Sequence, residues 1–153
     1  MEGYKEVLSL LEHQCSKREY CSSEVFQKAL KHLDYDRDQA QLVLDSLIKD
    51  KYVDDLRYAG AFARDKAYLT GWGPVKIRYT LVGKGISRDL IDEAISDIDE
   101  EKATNRMKEV IAAKYRTLKG DATAKLKLIK FALTRGYEYD QIYEVINELI
   151  TNN

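Results

Sequence analysis

Residues of matching character recur along this chain at an interval of 51. Tyr35, Ile86 and Tyr137 are spaced by 51, as are Asp38, Asp89 and Asp140. The same spacing relates Ala40, Ile91 and Ile142, then Val43, Ala94 and Val145, then Leu44, Ile95 and Ile146, then Leu47, Ile98 and Leu149. Chance matches at one offset would not preserve a whole apolar face, so the chain reads as a repeat architecture. Upstream the register slips once. Leu30 and Leu81 are 51 apart but Leu81 and Leu133 are 52 apart, which reads as a residue lost from the third unit's turn. The 153 residues divide near 1–52, 53–101 and 102–153.

Apolar residues fall at helical spacing nearly throughout, and alternating runs of the strand type are nearly absent. Val7, Leu8 and Leu11 share one face, as do Val43, Leu44 and Leu47, and Val145, Ile146 and Leu149. The expected fold class is all-α: three tandem three-helix repeats in an elongated, curved array. A helix trio of this length buries too little surface alone, so each repeat is expected to pack on its neighbour. In the middle repeat the pattern predicts helices over Asp55–Leu69, Pro74–Val82 and Arg88–Ile98. Asp54 is placed to cap the first, with Val53 and Tyr58 at the hydrophobic-staple positions. Ser87 is placed to cap the third, with Ile86 stapled on Ile91. Tyr35/Ala40 and Tyr137/Ile142 repeat that staple.

Residues 70–87, TGWGPVKIRYTLVGKGIS, hold the only Trp, the only Pro and four of the eight Gly, which invites reading a ligand loop. The phosphate-loop pattern G-x-x-x-x-G-K-[ST] is not met, and no strand precedes it. Helix punctuation accounts for it better. Gly71 suits the left-handed residue after the first helix. Gly73 is placed as N-cap and Pro74 as first helical residue, where a missing N–H costs nothing. Trp72 is expected to staple onto Ile77. Cys21, Ser22 and Phe26, each 51 earlier, offer the same frame, with Cys21 a core residue at the Trp72 position. Gly85 and Gly136 close the second helices. Gly83 has no such role, and close backbone approach is the expectation there.

Composition and motifs exclude several classes. The net charge of −1 does not mark a nucleic-acid binder. No apolar run reaches the ~20 residues of a membrane span, and the N-terminus has no signal-peptide pattern. Cys15 and Cys21 make no disulfide framework, so a cytoplasmic protein is expected. His13, Cys15, Cys21 and His32 match none of the paired zinc spacings. Asp54 and Asp55, adjacent on a helix, point ~100° apart and read as a cap and a favourable first-turn charge, not a metal pair. No catalytic constellation is identifiable, so neither enzyme nor cofactor nor metal is expected.

Charge is unevenly spread. Residues 102–135 carry ten Lys/Arg against two Asp/Glu, and residues 86–101 carry seven acidic residues and one Arg. Lys125, Lys127, Lys130 and Arg135 surround Leu128, Ile129 and Phe131, and Lys114, Arg116 and Lys119 lie upstream. This is solvated helix surface or a patch facing DNA phosphates or an acidic protein. Without Arg, Asn and Gln set out to read base edges, sequence-specific recognition is not expected.

The stretch YVDDLRYAGAFARDKAYLTGWGPVKIRYTLVGKGIS, residues 52–87, resembles the signature of the RecX family, bacterial regulators of the RecA recombinase. Asp54, Asp55, Arg57, Tyr58 and Ala59 match its acidic start and R-[YF]-A. Gly71, Trp72, Gly73, Pro74, Ile77, Leu81, Lys84, Gly85 and Ile86 match GWG-P, the basic/aliphatic helix and K-G-I. Leu56 stands where an acidic residue is common, and Gly60 and Gly83 where longer side chains are usual. The resemblance implies a non-enzymatic, monomeric modulator that binds the RecA–DNA filament. It would most often restrain ATPase, recombinase and SOS co-protease activities, with single-stranded DNA met directly or through RecA. It implies RecA contacts at Asp54, Asp55, Arg57, Tyr58, Trp72, Lys76, Arg78 and Lys84. The competing readings are a stand-alone DNA-binding module using the basic third repeat and a helical adaptor for another protein.

Overall fold

A computed structural model describes residues 3–152. Among the described residues the chain is all-helical, with helices α1 (Tyr4–Lys17), α2 (Ser22–His32), α3 (Arg37–Lys49), α4 (Asp55–Asp65), α5 (Pro74–Gly83), α6 (Arg88–Ser96), α7 (Glu100–Arg116), α8 (Ala124–Thr134) and α9 (Tyr139–Thr151). They follow in threes, as the period predicts. No helix among them is long and apolar enough to cross a membrane. The first helix of the middle repeat reaches its expected length by a change of pitch, α4 running into a π-helical turn over Lys66–Thr70. Gly71 ends it at φ 77°. The caps are local: Asp54 accepts from Arg57 N–H at 3.0 Å, Asp36 from Gln39 N–H at 3.1 Å, and Asp99 from Lys102 N–H at 3.1 Å.

The residues group into two compact units. The first comprises Met1–Ala59 with Leu81–Ile91, the second Gly60–Thr80 with Asp92–Asn153. In the first, α1, α2 and α3 close over Val7, Leu11, Val25, Leu33, Val43 and Leu47. In the second, α7, α8 and α9 close over Met107, Ile111, Leu128, Ile142 and Ile146. Each of these Leu and Ile side chains is fully buried and contributes about 2 kcal/mol of hydrophobic stabilisation. The period of 51 is therefore the period of buried positions: Ala40, Ile91 and Ile142 are all at 0% exposure.

Four expectations are corrected. First, Cys21 rather than Ser22 is the N-cap of α2, and Val25 is the fully buried residue four positions on. Cys21 thus corresponds to Gly73, 52 later, and not to Trp72. Second, the third repeat has lost no residue from its turn. Ala132, 51 after Leu81, is buried and accepts from Tyr137 N–H at 3.3 Å, as Leu81 accepts from Ile86 N–H at 3.3 Å, whereas Leu133 is 45% exposed. The slip belongs to the first repeat: α2, longer than α5 by one residue, has its buried Val25 52 before Ile77, whereas Leu128 of α8 lies 51 after Ile77. Third, that longer helix is followed by two left-handed residues, Asp34 and Tyr35, at φ 52° and 63°. They turn Tyr35 to solvent at 66% exposure, while Ile86 and Tyr137 are buried as expected. Fourth, Gly83 allows no close approach, because a methyl group there would meet nothing within 4 Å. Its φ is not positive and it ends a helix. Gly83→Ala is therefore expected to stabilise the protein by about 0.5 kcal/mol, read as a raised midpoint in urea unfolding.

Candidate partner-binding site

The signature residues converge on contacts within the units. In the first unit the start of α2 meets the turn after α5. Ser23 Oγ donates to the Lys84 carbonyl at 2.6 Å, and Ser22 N–H donates to Asp55 Oδ1 at 2.8 Å. The Lys84 ammonium lies 3.6 Å from Glu24 and 5.8 Å from the centre of the buried Tyr58 ring. Arg57 pairs with Glu19 and donates to the Lys51 and Tyr52 carbonyls at 3.1 and 3.2 Å. Asp54 is the cap of α4. Burial raises the Cys15 and Cys21 thiols, so both are weak nucleophiles.

The second unit repeats the arrangement one module on. The start of α5 meets the turn after α8: Gly73 N–H donates to the Arg135 carbonyl at 2.8 Å and Val75 N–H to the Gly136 carbonyl at 3.0 Å. Backbone touches backbone here. Gly136 sits at φ 90° with Lys76 N 2.5 Å from where its Cβ would be. The third repeat also caps the π turn of the second. Arg106 donates to the Leu69 carbonyl at 2.9 Å, Arg135 to the Thr70 carbonyl, and Arg135 and Tyr137 to the Gly71 carbonyl at 3.2 and 2.6 Å. These are carbonyls a helix end otherwise leaves unmet, and cations there oppose its negative end. Trp72 lies edge-on to Phe62 at 6.1 Å, with the Lys66 and Lys76 ammoniums 4.6 and 4.4 Å from its ring centre. Arg78 pairs with Asp92 at 2.5 Å.

Tyr137 offers a check on this contact. Burial pushes its phenol up to about 12. The unfolded phenol ionises near 10. The folded state therefore holds its proton to higher pH, and the stability it contributes, complete below pH 10, is lost as pH rises toward 12. Tyr137→Phe is expected to cost about 1 kcal/mol at neutral pH and to make the alkaline loss shallower. Urea unfolding between neutral and alkaline pH reads both.

The basic residues of the third repeat are only partly available. Arg135 is engaged by the π turn. Lys127 pairs with Asp121 at 2.5 Å, and that bond with those from Thr123 holds the Asp121 carboxyl well below the usual carboxylate range. Lys114 lies 5.6 Å from the Phe131 ring centre and Lys125 6.0 Å from that of Tyr143. Arg116, Lys119, Lys125, Lys127 and Lys130 are exposed.

One surface lies outside the sequence motifs. Val75, Tyr79 and Val82 form an exposed stripe along α5, with Tyr79 81% exposed. Leu126, Lys130 and Leu133, each 51 later, form the matching exposed stripe on α8. Helix spacing puts each trio on one face. The α8 stripe ends three residues before Gly136, whose carbonyl receives Val75 N–H at the start of the α5 stripe. The signal was present: α5 carries apolar residues on both faces, more than one buried face needs.

Comparison with known proteins agrees with this repeat organisation. Residues 54–95 match the family model of the second three-helix domain of RecX, and residues 100–146 that of the third. A Regulatory protein RecX of Clostridium botulinum (strain Eklund 17B / Type B) is 38% identical over 120 residues, covering 76% of this chain and 56% of that protein. One from Clostridium acetobutylicum is 32% identical over 130 residues, covering 81% of this chain and 60% of that protein. The chain thus spans little more than half the length of these relatives. The crystal structure of RecX from Lactobacillus salivarius has the same all-helical fold, with a TM-score of 0.84, 22% identity and 97% of each chain covered. With two consecutive domain models matching more than half of its residues, this chain belongs to the RecX family of regulatory proteins.

Proposed function

We propose that this protein binds RecA and the RecA–DNA filament and restrains its ATPase, recombinase and SOS co-protease activities, using the exposed faces of α5 and α8. The observation that carries the reading is the in-register pair of exposed stripes, Val75–Tyr79–Val82 and Leu126–Lys130–Leu133. Exposed apolar residues in a line, edged by cations, are what a protein-binding surface needs. Family membership supplies the regulatory role. Asp55, Arg57, Tyr58 and Lys84 support this surface by holding repeat to repeat. Lys76 and Arg78 lie along α5 beside the stripe, and the acidic residues of 86–101 offer a further patch. The same reading makes the chain a monomeric cytoplasmic protein without cofactor, acting in recombination and repair.

The test is DNA-dependent ATP hydrolysis by the cognate RecA on single-stranded DNA with this protein added at or below equimolar amounts. A reduced rate with shortened filaments is expected. Unchanged ATPase, strand exchange and filament length would overturn the reading.

A second reading, direct DNA binding without sequence preference, is favoured by the exposed Arg116, Lys119, Lys125 and Lys130. Anisotropy titrations without RecA distinguish it. Tight binding to single- and double-stranded DNA that falls steeply with salt, and that weakens alike on all sequences when Lys127 and Lys130 are neutralised, is its signature.

A further inference from the structure

We propose that the cleft of the second unit, lined by α7, α9 and the start of α5, is a docking groove for a basic amphipathic segment of a partner protein. The cleft holds about 700 Å³, enough for the side chains along one face of a helical segment. Its accessible apolar lining includes half-buried Trp72 and Pro74 at the start of α5, and Ile95 and Ile98 at the end of α6 and in the turn after it. Its polar edge is acidic, with Glu100, Glu138, Glu144 and Glu148. Lys108 is the one cation among the residues lining it, and it is paired with Glu148 at 3.5 Å; the Lys66 and Lys76 ammoniums beside the cleft are held on the Trp72 ring. The acidity is local, because the 102–135 stretch that supplies α7 and α8 is strongly basic. An apolar trough edged by carboxylates attracts Lys or Arg beside aliphatic side chains. It repels phosphates and acidic segments. The stripes on α5 and α8 have the opposite preference, so the groove is a separate surface, and it does not depend on the RecA reading.

Trp72 is the chain's single tryptophan and lines the groove, so its emission reports occupancy directly. The probe is a short amphipathic helical peptide of leucine and lysine, with a leucine/glutamate peptide of the same pattern as comparison. The lysine peptide is expected to change Trp72 emission saturably and to bind about tenfold or more tightly than its acidic counterpart. Glu144→Lys, an exposed substitution, is expected to weaken it by about tenfold. Thr104→Phe, which fills the lining, should weaken it without a charge change. Asp38→Lys with Glu93→Lys, at exposed positions that are not among the lining residues, shifts the net charge in the same direction and should leave affinity nearly unchanged. Equal binding of the two peptides, no saturable change, or equal weakening by the Asp38/Glu93 control would each overturn the proposal.

Discussion

Replacing Gly73 by alanine is expected to destabilise the protein by about 3 kcal/mol, a drop in Tm of roughly 10 °C. The reason is contact, not helix propensity. A Cβ at Gly73 would fall on the Gly136 carbonyl and 2.5 Å from the Cα of Tyr137. Those atoms are backbone and cannot rotate aside as a side-chain end can. Relief requires α5 to withdraw from the turn after α8, which breaks the bonds from Gly73 N–H to the Arg135 carbonyl and from Val75 N–H to the Gly136 carbonyl. It also displaces the Gly71 and Thr70 carbonyls from Arg135 and Tyr137. Gly83→Ala, at the other end of the same helix, is the control and moves stability in the opposite direction. Thermal unfolding of the two variants beside the parent decides the matter. A Gly73→Ala protein as stable as the parent would show that the backbones do not approach as described.

The combined substitution Tyr79→Glu and Lys130→Glu is expected to raise the concentration needed for half-maximal inhibition of the RecA ATPase by about tenfold or more. Both positions are exposed and 51 apart, and each is the middle residue of its stripe. A tyrosine at the centre of an interface often carries a large share of the binding energy, and an unpaired carboxylate in its place must be desolvated on binding. Away from buried contacts, such changes alter stability by about 0.5 kcal/mol at most. Lost inhibition with an unchanged Tm therefore locates the partner on this face. Retained inhibition would move it elsewhere. Arg116→Glu with Lys119→Glu, read by DNA anisotropy, reports on the phosphate-binding alternative without touching the stripes.

Much of the fold was legible because helices and their ends are local. The acid of Asp54, the left-handed Gly71 and the Gly73-Pro74 start each act within one turn of chain, and the structure places them as read. The period of 51 carried the buried positions of the third helices without error at Ala40, Ile91 and Ile142. It misled at the second helices, where one extra residue in α2 is absorbed by two consecutive left-handed residues. Aspartate adopts that conformation readily and tyrosine seldom does, so sequence gave no sign of it at Tyr35.

The candidate site was less legible. Conspicuous residues invite a functional reading, and charge alone groups Arg135 with the basic patch. Whether a cation faces solvent or a helix-end carbonyl depends on what packs against it, in this case a turn 64 residues away in sequence. Val75, Tyr79, Leu126 and Leu133 carry no such mark, because an exposed apolar residue resembles a core residue until the core is filled by others.

Sequence alone determined that this chain is a run of helices in three repeats, because helix periodicity, caps and turn glycines act over a few residues. It also carried the family, through the order of residues from Asp54 to Ile86. Tertiary structure decided what those residues do. Val75 with Gly136, Ser23 with Lys84, and Arg135 with Gly71 lie some 60 residues apart in the chain. Only packing brings such pairs within hydrogen-bond reach, and packing equally decides which faces of α5 and α8 remain open to a partner.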